Sequence, residues 1–246
     1  MRIVPSYFPA KGGIQTFTYN IDRLLVSYGH EVDVWTTKSL SDHLPDRDLL
    51  AGVKVKRYNR QGYLKYSPKL STAIKELKNE FDILHFHNYH TFTALGVISV
   101  PAGHKVVFTP HYHGRASNLF NQVLLSPYSK FLGKKIYKRS DFIICRSEFE
   151  KELVIKHFGV NNQKISVVRG GINIEEIKNA TSYNHDKKVI LSVCRLDKHK
   201  NIHKMIGAMQ YVPLDYEFII IGEGPFKKHL VNMISNLNLG KRINEN

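Results

Sequence analysis

Apolar strand-like runs alternate with helical patterns along almost the whole of this 246-residue chain. The clearest example is residues 189–224, where an apolar run ends at Arg195, a basic loop and a helical pattern follow, and a second apolar run ends at residues 222–224. A strand, a crossover helix and a second strand are the building block of a parallel sheet. The alternation therefore predicts an α/β protein with parallel sheets and helices on both faces.

A polar segment without strong periodicity, residues 173–186, is the expected linker between two domains. The first domain, residues 1–175, is long enough for a complete doubly wound parallel sheet. The second, residues 186–246, holds only about 60 residues, whereas a typical domain has roughly 100 or more. We therefore expect the second domain to be incomplete, and residues 241–246 contain no apolar run that predicts a final strand.

The composition limits the class of protein. The sequence is 42% hydrophobic and 23% charged, which is typical of soluble globular proteins. No apolar run approaches the roughly 20 residues of a membrane span, and the first residues lack the apolar core of a signal peptide. Cys145 and Cys194 lie in separate strand-like runs, which favours a reducing compartment without disulfides. We therefore expect a cytoplasmic protein.

The net charge of +15 implies either an anionic partner or a basic solvated surface. The basic residues are spread along the chain and aromatic residues are not interleaved with them, so no nucleic-acid partner is expected. Each basic side chain near an anionic leaflet contributes about 1 kcal/mol. Peripheral contact with an anionic membrane, at the inner membrane face, is therefore a hypothesis that fits the charge.

The N-terminal pattern predicts a strand, a Gly-Gly loop, a helix and a second strand. Gly12 and Gly13 would let backbone N–H groups approach a ligand, because no Cβ stands in the way. A simple tight turn explains the two glycines equally well. The other predicted elements that bear on the site are a solvated loop at residues 39–51 and helices at residues 69–80, 90–100, 118–139 and 226–239.

Histidines at strand ends are one group of candidates for chemistry. His85 and His87 alternate along a predicted strand and so share a face, and His111 and His113 repeat the spacing after the next strand. His-x-His pairs are typical of zinc ligands, which leaves a zinc-dependent hydrolase open, but Asp82 is the one carboxylate near them. The alternatives are imidazoles that contact a sugar or phosphate, and histidines packed in a polar pocket.

Arg195 and Lys200 are better placed, since they follow a strand at the edge where open α/β sheets bind ligands. Two cations beside a helix start would neutralise the charge on a departing diphosphate. Gly222, Glu223 and Gly224 form the loop after the next strand and fall at the same edge. A basic surface loop is the alternative.

Six regions in order resemble the large GT-B family of retaining glycosyltransferases. They are the Gly-Gly loop with GHEV at residues 9–32, DILHFH at residues 82–87, His111, RGGIN at residues 169–173, the R-L-x-x-x-K-N loop at residues 195–201, and IIIGEGP at residues 219–225. The chain departs from the family in two of them. Arg169 and Gly170 stand where the family has Pro and Asn, and Cys194 stands where it has Gly.

The resemblance implies two Rossmann-like domains in the GT-B arrangement. It also implies an enzyme that transfers a hexose from a UDP-, GDP- or ADP-sugar to a glycan or lipid-linked acceptor with retention of configuration. It implies no metal and no cofactor. The residues expected at the reaction are His111 at the donor sugar, with Arg195 and Lys200 at the donor diphosphate. The residues expected to bind the donor are Gly12, Gly13, Gly222, Glu223 and Gly224.

One departure from the family is serious. Its members carry two glutamates eight positions apart beyond the next strands, and no two glutamates here have that spacing. We therefore expect a chain truncated in its C-terminal domain, with impaired transfer and with apolar sheet faces left uncovered. The alternative is a catalytically inactive remnant that binds nucleotide-sugar, or a subunit that needs a partner chain.

Overall fold

The computed structural model describes residues 1–38, 43–61, 66–78, 80–114, 128–172, 174–181 and 188–245. The chain forms two compact units, Met1–Ile172 and Asn173–Asn246. Each unit contains its own sheet of parallel strands with helices between them, as the alternating pattern predicts. None of the helices in the described part of the chain is both long enough and apolar enough to cross a membrane.

The sheet of the first unit has eight strands within the described residues. They are β1 (Arg2–Val4), β2 (Asp33–Lys38), β3 (Arg47–Leu50), β4 (Val53–Asn59), β5 (Ile83–His87), β6 (Lys105–Thr109), β7 (Phe142–Cys145) and β8 (Ile165–Val167). Their order across the sheet is β3-β4-β2-β1-β5-β6-β7-β8. All neighbouring pairs are parallel except β3 with β4, so the carboxyl ends of the parallel strands share one edge.

Five α-helices in the described part of the first unit connect these strands. They are α1 (Gly13–Ser27), α2 (Pro68–Lys75), α3 (Gly96–Ser99), α4 (Lys134–Arg139) and α5 (Glu148–Phe158). The Ser147 side chain accepts the Glu150 N–H at 3.1 Å to cap the start of α5, and Gly159 ends it in the left-handed region at φ 66°. A serine cap and a final glycine are strong local signals, so the bounds of α5 follow from its sequence.

In the central strands of this sheet, apolar side chains lie on one face and polar side chains on the other. Leu84 pairs in register with Val106, and Phe86 with Phe108, and all four side chains are fully buried. Each such side chain contributes about 1.5–3 kcal/mol by leaving water. Because side chains alternate along a strand, the polar residue His85, between Leu84 and Phe86 in β5, lies on the opposite face.

The second unit has three strands within the described residues, against eight in the first. Strands β9 (Lys188–Val193), β10 (Tyr216–Ile221) and β11 (Ile243–Glu245) lie in the order β11-β10-β9, with helices α6 (Ile174–Lys178), α7 (Ile202–Ala208) and α8 (Lys227–Asn236). Phe218 and Ile220 pack in the core of this unit against Ile206 of α7 and Leu230 of α8.

One face of strand β9 is apolar and exposed. Val189, Leu191 and Val193 are 37%, 57% and 66% exposed, and they alternate with Ile190, which packs against the core. Apolar surface of this kind on a soluble protein marks a place that another segment or chain covers.

Two element predictions were wrong. Residues 39–51 predict a solvated loop, but Arg47–Leu50 forms β3 and pairs antiparallel with β4. The carboxylates beside it are ion-paired, since Asp48 lies 3.0 Å from the buried Arg57 and Asp46 lies 2.8 Å from Lys38. At the other end of the chain, Ile243–Glu245 forms β11, because the backbone of β10 supplies its hydrogen bonds. Both strands depend on a neighbour rather than on an apolar run of their own.

Helix bounds differ from the periodic patterns by a few residues. The predicted helix at residues 69–80 ends at Lys75, and that at residues 226–239 spans Lys227–Asn236. The predicted helix at residues 90–100 is a 3-10 turn, Phe92–Leu95, followed by α3. Of the predicted helix at residues 118–139, the part up to residue 127 lies outside the described residues, and Tyr128–Gly133 is π-helical ahead of α4.

Candidate functional site

A row of buried polar side chains crosses the sheet of the first unit beside helix α1. Arg2 of β1 lies in register with His85 of β5, and His87 lies two residues further along the same face. Thr109, the last residue of β6, is in register with His87. Arg2, His87 and Thr109 are 5%, 1% and 2% exposed, so polar groups occupy positions where an ordinary sheet carries apolar ones.

Helix α1 supplies the counter-charge for this row. The Nε and Nη2 atoms of Arg2 both lie 2.7 Å from Oδ1 of Asp22, which is fully buried. The Tyr7 hydroxyl donates to Oδ2 of the same carboxylate at 2.9 Å. Burial raises the pKa of Asp22, and the Arg2 guanidinium and the Tyr7 hydroxyl oppose that rise. A buried pair with satisfied hydrogen bonds is costly to break, because either partner alone would be an uncompensated charge.

Three imidazoles continue the row from Arg2 towards the carboxyl edge of the sheet. Nη1 of Arg2 lies 3.3 Å from Nδ1 of His85 and makes a short hydrogen bond with Nε2 of His87. Nε2 of His85 lies 2.8 Å from Oγ1 of Thr109. Nδ1 of His87 lies 3.3 Å from Nε2 of His111. The structure therefore joins three of the four histidines that the sequence singled out into one network.

The imidazoles of this network are held neutral. Burial and the neighbouring positive charges lower the pKa of His85 and of His87 well below the ordinary value of 6.5. Burial first, then Arg146 and Arg2, lower the pKa of His111 to about 4. Desolvation and nearby cations both disfavour an imidazolium. At neutral pH His111 therefore offers a ligand a neutral hydrogen bond rather than a positive charge.

His111 follows β6 in an unusual backbone conformation. Its φ of 50° lies in the left-handed region, which costs a residue with a side chain about 1–2 kcal/mol. Such strain persists where the surroundings enforce it, and it clusters at functional sites. The turn also separates His111 from His113. The His113 ring stacks on the ring of His90 instead, with 4.5 Å between the two ring centres. The His-x-His spacing of residues 111 and 113 therefore does not bring their two rings together.

Arg146, which the sequence analysis did not single out, follows β7 at the same edge. Its guanidinium lies 3.5 Å from the centre of the Phe17 ring on α1. Gly170 leaves room for it, because a Cβ there would collide with Nη2. Within the described ranges its guanidinium forms no ion pair, although the Glu150 carboxylate accepts the Arg146 backbone N–H at 2.6 Å and attracts its charge. A basic residue just after an apolar strand-like run is the sequence signal that could have identified Arg146, as it identified Arg195.

The Gly-Gly loop lies at the start of α1. Gly12 precedes the helix at φ 157°, and a Cβ there would collide with the Gln15 side chain. Gly13 opens the helix with nothing within 4 Å of a Cβ position. The first turn of α1 carries no acidic residue, so its N–H groups keep their positive field. Gly12 and Gly13 belong to the unit that also holds His111.

The two cations predicted at the donor diphosphate lie in the loop after β9 of the second unit. Arg195 is 70% exposed in its side chain, and its Nε lies 3.0 Å from Oδ2 of Asp197. Lys200 is exposed at the end of a 3-10 turn, Lys198–Lys200. Exposed ion pairs contribute about 0–1 kcal/mol. A phosphate could therefore exchange with Asp197 at little cost.

The glycines after β10 hold that loop against the loop after β9. A Cβ on Gly222, which has φ 153°, would collide with the carbonyl of Cys194, and one on Gly224 with that of Leu196. The Leu196 N–H donates to the Glu223 carbonyl at 2.9 Å. The structure thus brings the predicted Arg195 and Gly222 loops together. It also shows that these glycines are required for packing between the loops.

Glu223 of the same loop is accounted for by a local contact. Its carboxylate lies 2.8 Å from Nζ of Lys227, one turn along the start of α8. That pair is exposed on the Glu223 side, so it is a weak interaction. The assignment of Glu223 to donor binding remains a prediction.

In the part of the chain that the structure describes, no group of three or more His, Cys, Asp or Glu side chains could hold a metal ion. The clustered histidines do not form such a group, because Nε2 of His87 and Nδ1 of His85 face the Arg2 guanidinium. A fixed cation repels a divalent metal and occupies the lone pairs that would bind it. The zinc-dependent hydrolase therefore has no ligand set within the described residues.

Comparison with known proteins identifies the sequence families that these units match. The profile described as Glycosyltransferase Family 4 matches residues 11–176. The profile described as Glycosyl transferases group 1 matches residues 173–244. The first match covers more than half of the chain and includes His111 and Arg146.

Curated relatives have related descriptions. The chain is 24% identical to alpha-monoglucosyldiacylglycerol synthase of Acholeplasma laidlawii, over 97% of this chain and 67% of that protein. It is 32% identical, over 51% of this chain and 34% of the relative, to N-acetylgalactosamine-N,N'-diacetylbacillosaminyl-diphospho-undecaprenol 4-alpha-N-acetylgalactosaminyltransferase of Campylobacter jejuni. It is 26% identical to the phosphatidylinositol N-acetylglucosaminyltransferase GPI3 subunit of Saccharomyces cerevisiae, over 96% of this chain and 55% of that subunit. The matches thus span between 34% and 67% of these relatives.

Solved structures show the fold. The chain matches sucrose-phosphate synthase of Thermosynechococcus elongatus with a TM-score of 0.74 and 18% identity, over 100% of this chain and 69% of that one. It matches Anabaena HepE in complex with UDP and glucose with a TM-score of 0.65 and 15% identity, over 99% and 68%. The two units therefore have the Rossmann-like α/β folds of a GT-B glycosyltransferase, as the sequence resemblance implies.

Proposed function

The chain belongs to Glycosyltransferase Family 4, and on this premise we propose that it transfers a hexose from a nucleotide-sugar to a glycan or lipid-linked acceptor. The observation that carries the proposal is that His111 and Arg146 follow the neighbouring strands β6 and β7 at the carboxyl edge of a Rossmann-like sheet, where the charge of Arg146 helps to lower the pKa of His111. That edge is where open α/β sheets bind ligands. A neutral imidazole suits a sugar hydroxyl, and a guanidinium suits a phosphate.

In this proposal the first domain, residues 1–175, holds the acceptor and the sugar end of the donor. His111 donates a hydrogen bond to a hydroxyl of the donor sugar. The N–H groups at Gly12 and Gly13 approach the phosphates or the sugar, where the unopposed field of the α1 start attracts negative charge. Arg146 adds a fixed cation to the same edge, supported by its contact with Phe17.

The second domain, residues 186–246, would hold the nucleotide. Arg195 and Lys200 bind the diphosphate, with Arg195 released from Asp197 as the phosphate arrives. Gly222 and Gly224 pass close to the nucleoside, and Glu223 lies beside them. Cations that neutralise a leaving diphosphate stabilise the transition state more than the ground state, which is how such contacts accelerate transfer.

We propose that transfer retains the configuration at the sugar carbon. The acceptor hydroxyl attacks from the face that the diphosphate leaves, so the new carbon–oxygen bond forms where the carbon–oxygen bond to phosphate breaks. The acceptor proton passes to the departing phosphate oxygen, and no further base is needed. Product analysis by NMR of the anomeric proton would test this, and inversion would contradict it.

Thermal shift with UDP-, GDP- and ADP-glucose is the direct test of donor binding. We expect one of them to raise the Tm, because a ligand that binds the folded state stabilises it. Arg195→Ala should remove that shift. Lys188→Ala is the matched control, since Lys188 is an exposed cation at the opposite end of β9 that pairs with Asp215. No shift with any nucleotide-sugar would contradict the proposal.

A second candidate function is binding without transfer, as a remnant or as a subunit that needs a partner chain. The exposed apolar face of Val189, Leu191 and Val193 favours it, because such a face is normally covered. A relative in yeast is itself described as a subunit. Donor binding together with no hexose transfer to lipid or glycan acceptors would favour this candidate, and multiple turnover by the isolated chain would eliminate it.

Peripheral contact with an anionic membrane is part of the proposal. Phe131 is 71% exposed and Leu132 is 36% exposed, and Lys134, Lys135 and Lys138 are exposed along the adjacent α4. Apolar side chains flanked by lysines are typical of surfaces that lie in a membrane interface. We expect the chain to sediment with anionic but not zwitterionic vesicles at low salt, and Lys134→Glu with Lys135→Glu to abolish it. Equal sedimentation of wild type and variant would contradict this contact.

A further inference from the structure

The guanidinium of Arg2 faces three side chains at once. Its Nε and Nη2 atoms point to the carboxylate of Asp22. Its Nη1 atom points to His85 and His87. A guanidinium has five N–H donors and no acceptor. Every atom that faces Arg2 must therefore accept a hydrogen bond, which for an imidazole means an unprotonated nitrogen.

This constraint determines where each buried ring keeps its proton. His85 accepts from Arg2 at Nδ1, so its proton lies on Nε2 and is donated to Thr109 Oγ1 at 2.8 Å. His87 accepts from Arg2 at Nε2, so its proton lies on Nδ1, which faces Nε2 of His111 at 3.3 Å. A neutral imidazole has one N–H and one acceptor nitrogen. The geometry leaves no second consistent assignment for neutral rings.

We propose that Arg2 is a positioning residue that acts through His87 to keep the proton of His111 on Nδ1. Nε2 of His111 is the acceptor for His87, and Nδ1 has no partner within the described residues. His111 would then present a single N–H donor to the ligand. This role rests on the proposed function, because it acts on the imidazole that would contact the donor sugar.

The buried ion pair supplies the reason that the network stays neutral. Asp22 balances the charge of Arg2, and a second positive charge on His87 would be opposed by the guanidinium that it contacts. Burial and the positive charge of Arg2 lower the pKa of His87 and of His111. A neutral imidazole N–H can donate to a sugar hydroxyl or ether oxygen without placing a second positive charge beside Arg2. Arg2 would thus keep His111 a neutral donor with its N–H in one fixed direction.

Two substitutions at His87 separate hydrogen bonding from packing. His87→Phe keeps a planar ring but removes both the acceptor for Arg2 and the donor for His111. His87→Gln retains both, because the amide oxygen can accept and the amide N–H can donate. A role in packing alone predicts that Phe is tolerated better than Gln. The positioning role predicts the reverse.

The test is nitrogen NMR of the 246-residue chain with labelled histidine at neutral pH. The His111 signals are assigned as those that His111→Asn removes. We expect wild-type His111 to carry its proton on Nδ1, His87→Phe to shift it towards a mixture of both tautomers, and His87→Gln to restore it. Wild-type His111 protonated on Nε2, or unchanged in His87→Phe, would overturn the proposal. Should His87→Phe fail to fold, the wild-type tautomer still decides, together with Asp22→Asn, which weakens the anchoring of Arg2.

Donor binding is measured on the same variants. We expect His87→Phe to weaken binding of the nucleotide-sugar by a few fold while binding of the free nucleotide stays unchanged, because only the fraction of His111 that is protonated on Nδ1 can donate to the sugar. His87→Gln should lie near wild type. If no nucleotide-sugar binds but the tautomer pattern holds, the proposed function fails and the positioning of His111 stands. If the donor binds and the tautomer pattern is absent, Arg2 has no such role.

Discussion

Nδ1 of His87 lies 3.3 Å from Nε2 of His111, although 24 positions separate the two residues in the chain. The contact exists because β5 and β6 are parallel neighbours, with His87 and Thr109 in register, and because His111 turns back in the left-handed region. Two features of the backbone therefore place the buried imidazole of His87 next to that of His111, which lies at the carboxyl edge of the sheet. A change in the hydrogen bonding of His87 therefore alters the hydrogen bonding of His111.

We expect His111→Asn to lower kcat/KM for transfer about tenfold to a hundredfold. Loss of a hydrogen bond to the donor sugar costs roughly 1–3 kcal/mol in the transition state. Asn tolerates the left-handed φ of 50° at this position, so the backbone should persist. Steady-state kinetics measures the effect, and His113→Asn, an exposed position two residues on, is the control. Equal loss in both variants would argue against a specific role for His111.

Arg146→Met should raise the pKa of His111 from its present value of about 4. Removing a nearby positive charge favours the protonated imidazole, while burial and Arg2 continue to lower the pKa. An NMR titration of His111 measures the change. The matched control is Arg23→Met, because Arg23 also lies over an aromatic ring of α1, at 5.4 Å from the centre of Tyr19. No change in Arg146→Met would mean that the two groups do not interact.

The buried histidines should make the first unit less stable in mild acid. His111 has a folded pKa of about 4 against the ordinary 6.5, and the pKa of His90 is likewise lowered to about 4 by burial. As pH falls, the unfolded chain binds these protons first, so stability present above pH 6.5 is lost progressively towards pH 4. For each histidine, a pKa that is lower by one pH unit in the folded state corresponds to a loss of about 1.4 kcal/mol.

Urea unfolding at a series of pH values measures this loss. The His111→Asn variant should lose less stability between neutral pH and the acid end than the wild type, since it has one fewer group to protonate. A stability profile that is flat across the range would contradict the assignment of neutral, buried imidazoles.

Asp22→Asn should destabilise the first unit by about 3–5 kcal/mol, because it leaves the buried Arg2 guanidinium without a counter-charge. The matched control is Glu31→Gln, which breaks the exposed pair with Lys54 on the same sheet. We expect that control to cost no more than about 1 kcal/mol. Urea unfolding of both variants measures the difference. Similar losses would show that the Arg2–Asp22 pair is not the buried anchor that its geometry indicates.

Gly222→Ala should disrupt the second unit, because a Cβ would collide with the Cys194 carbonyl and the φ of 153° disfavours a side chain. We expect a loss of at least about 1–3 kcal/mol and loss of the thermal shift by nucleotide-sugar. Gly240→Ala is the control within the same unit, since nothing lies within 4 Å of its Cβ position. An intact second unit in Gly222→Ala would show that the two loops separate readily.

The sequence alone was informative wherever the signal was local. The period of the apolar residues located α1, and Ser147 with Gly159 located the ends of α5. Strands β3 and β11 were missed, because a short strand at the edge of a sheet owes its hydrogen bonds to a neighbour. Alternation of strands and helices was sufficient for the fold class, since parallel neighbouring strands need a crossover connection, which is usually a helix.

The candidate site divides in the same way. That His111 and Arg195 lie at strand ends was readable from the sequence, because the end of an apolar run marks the carboxyl edge of a parallel sheet. That Arg2, Asp22 and Arg146 belong with His111 was not readable. Their contacts join the start of one strand, the middle of a helix and the ends of other strands. Burial and charge act through space, so the protonation of His111 is decided only when tertiary packing brings these groups together.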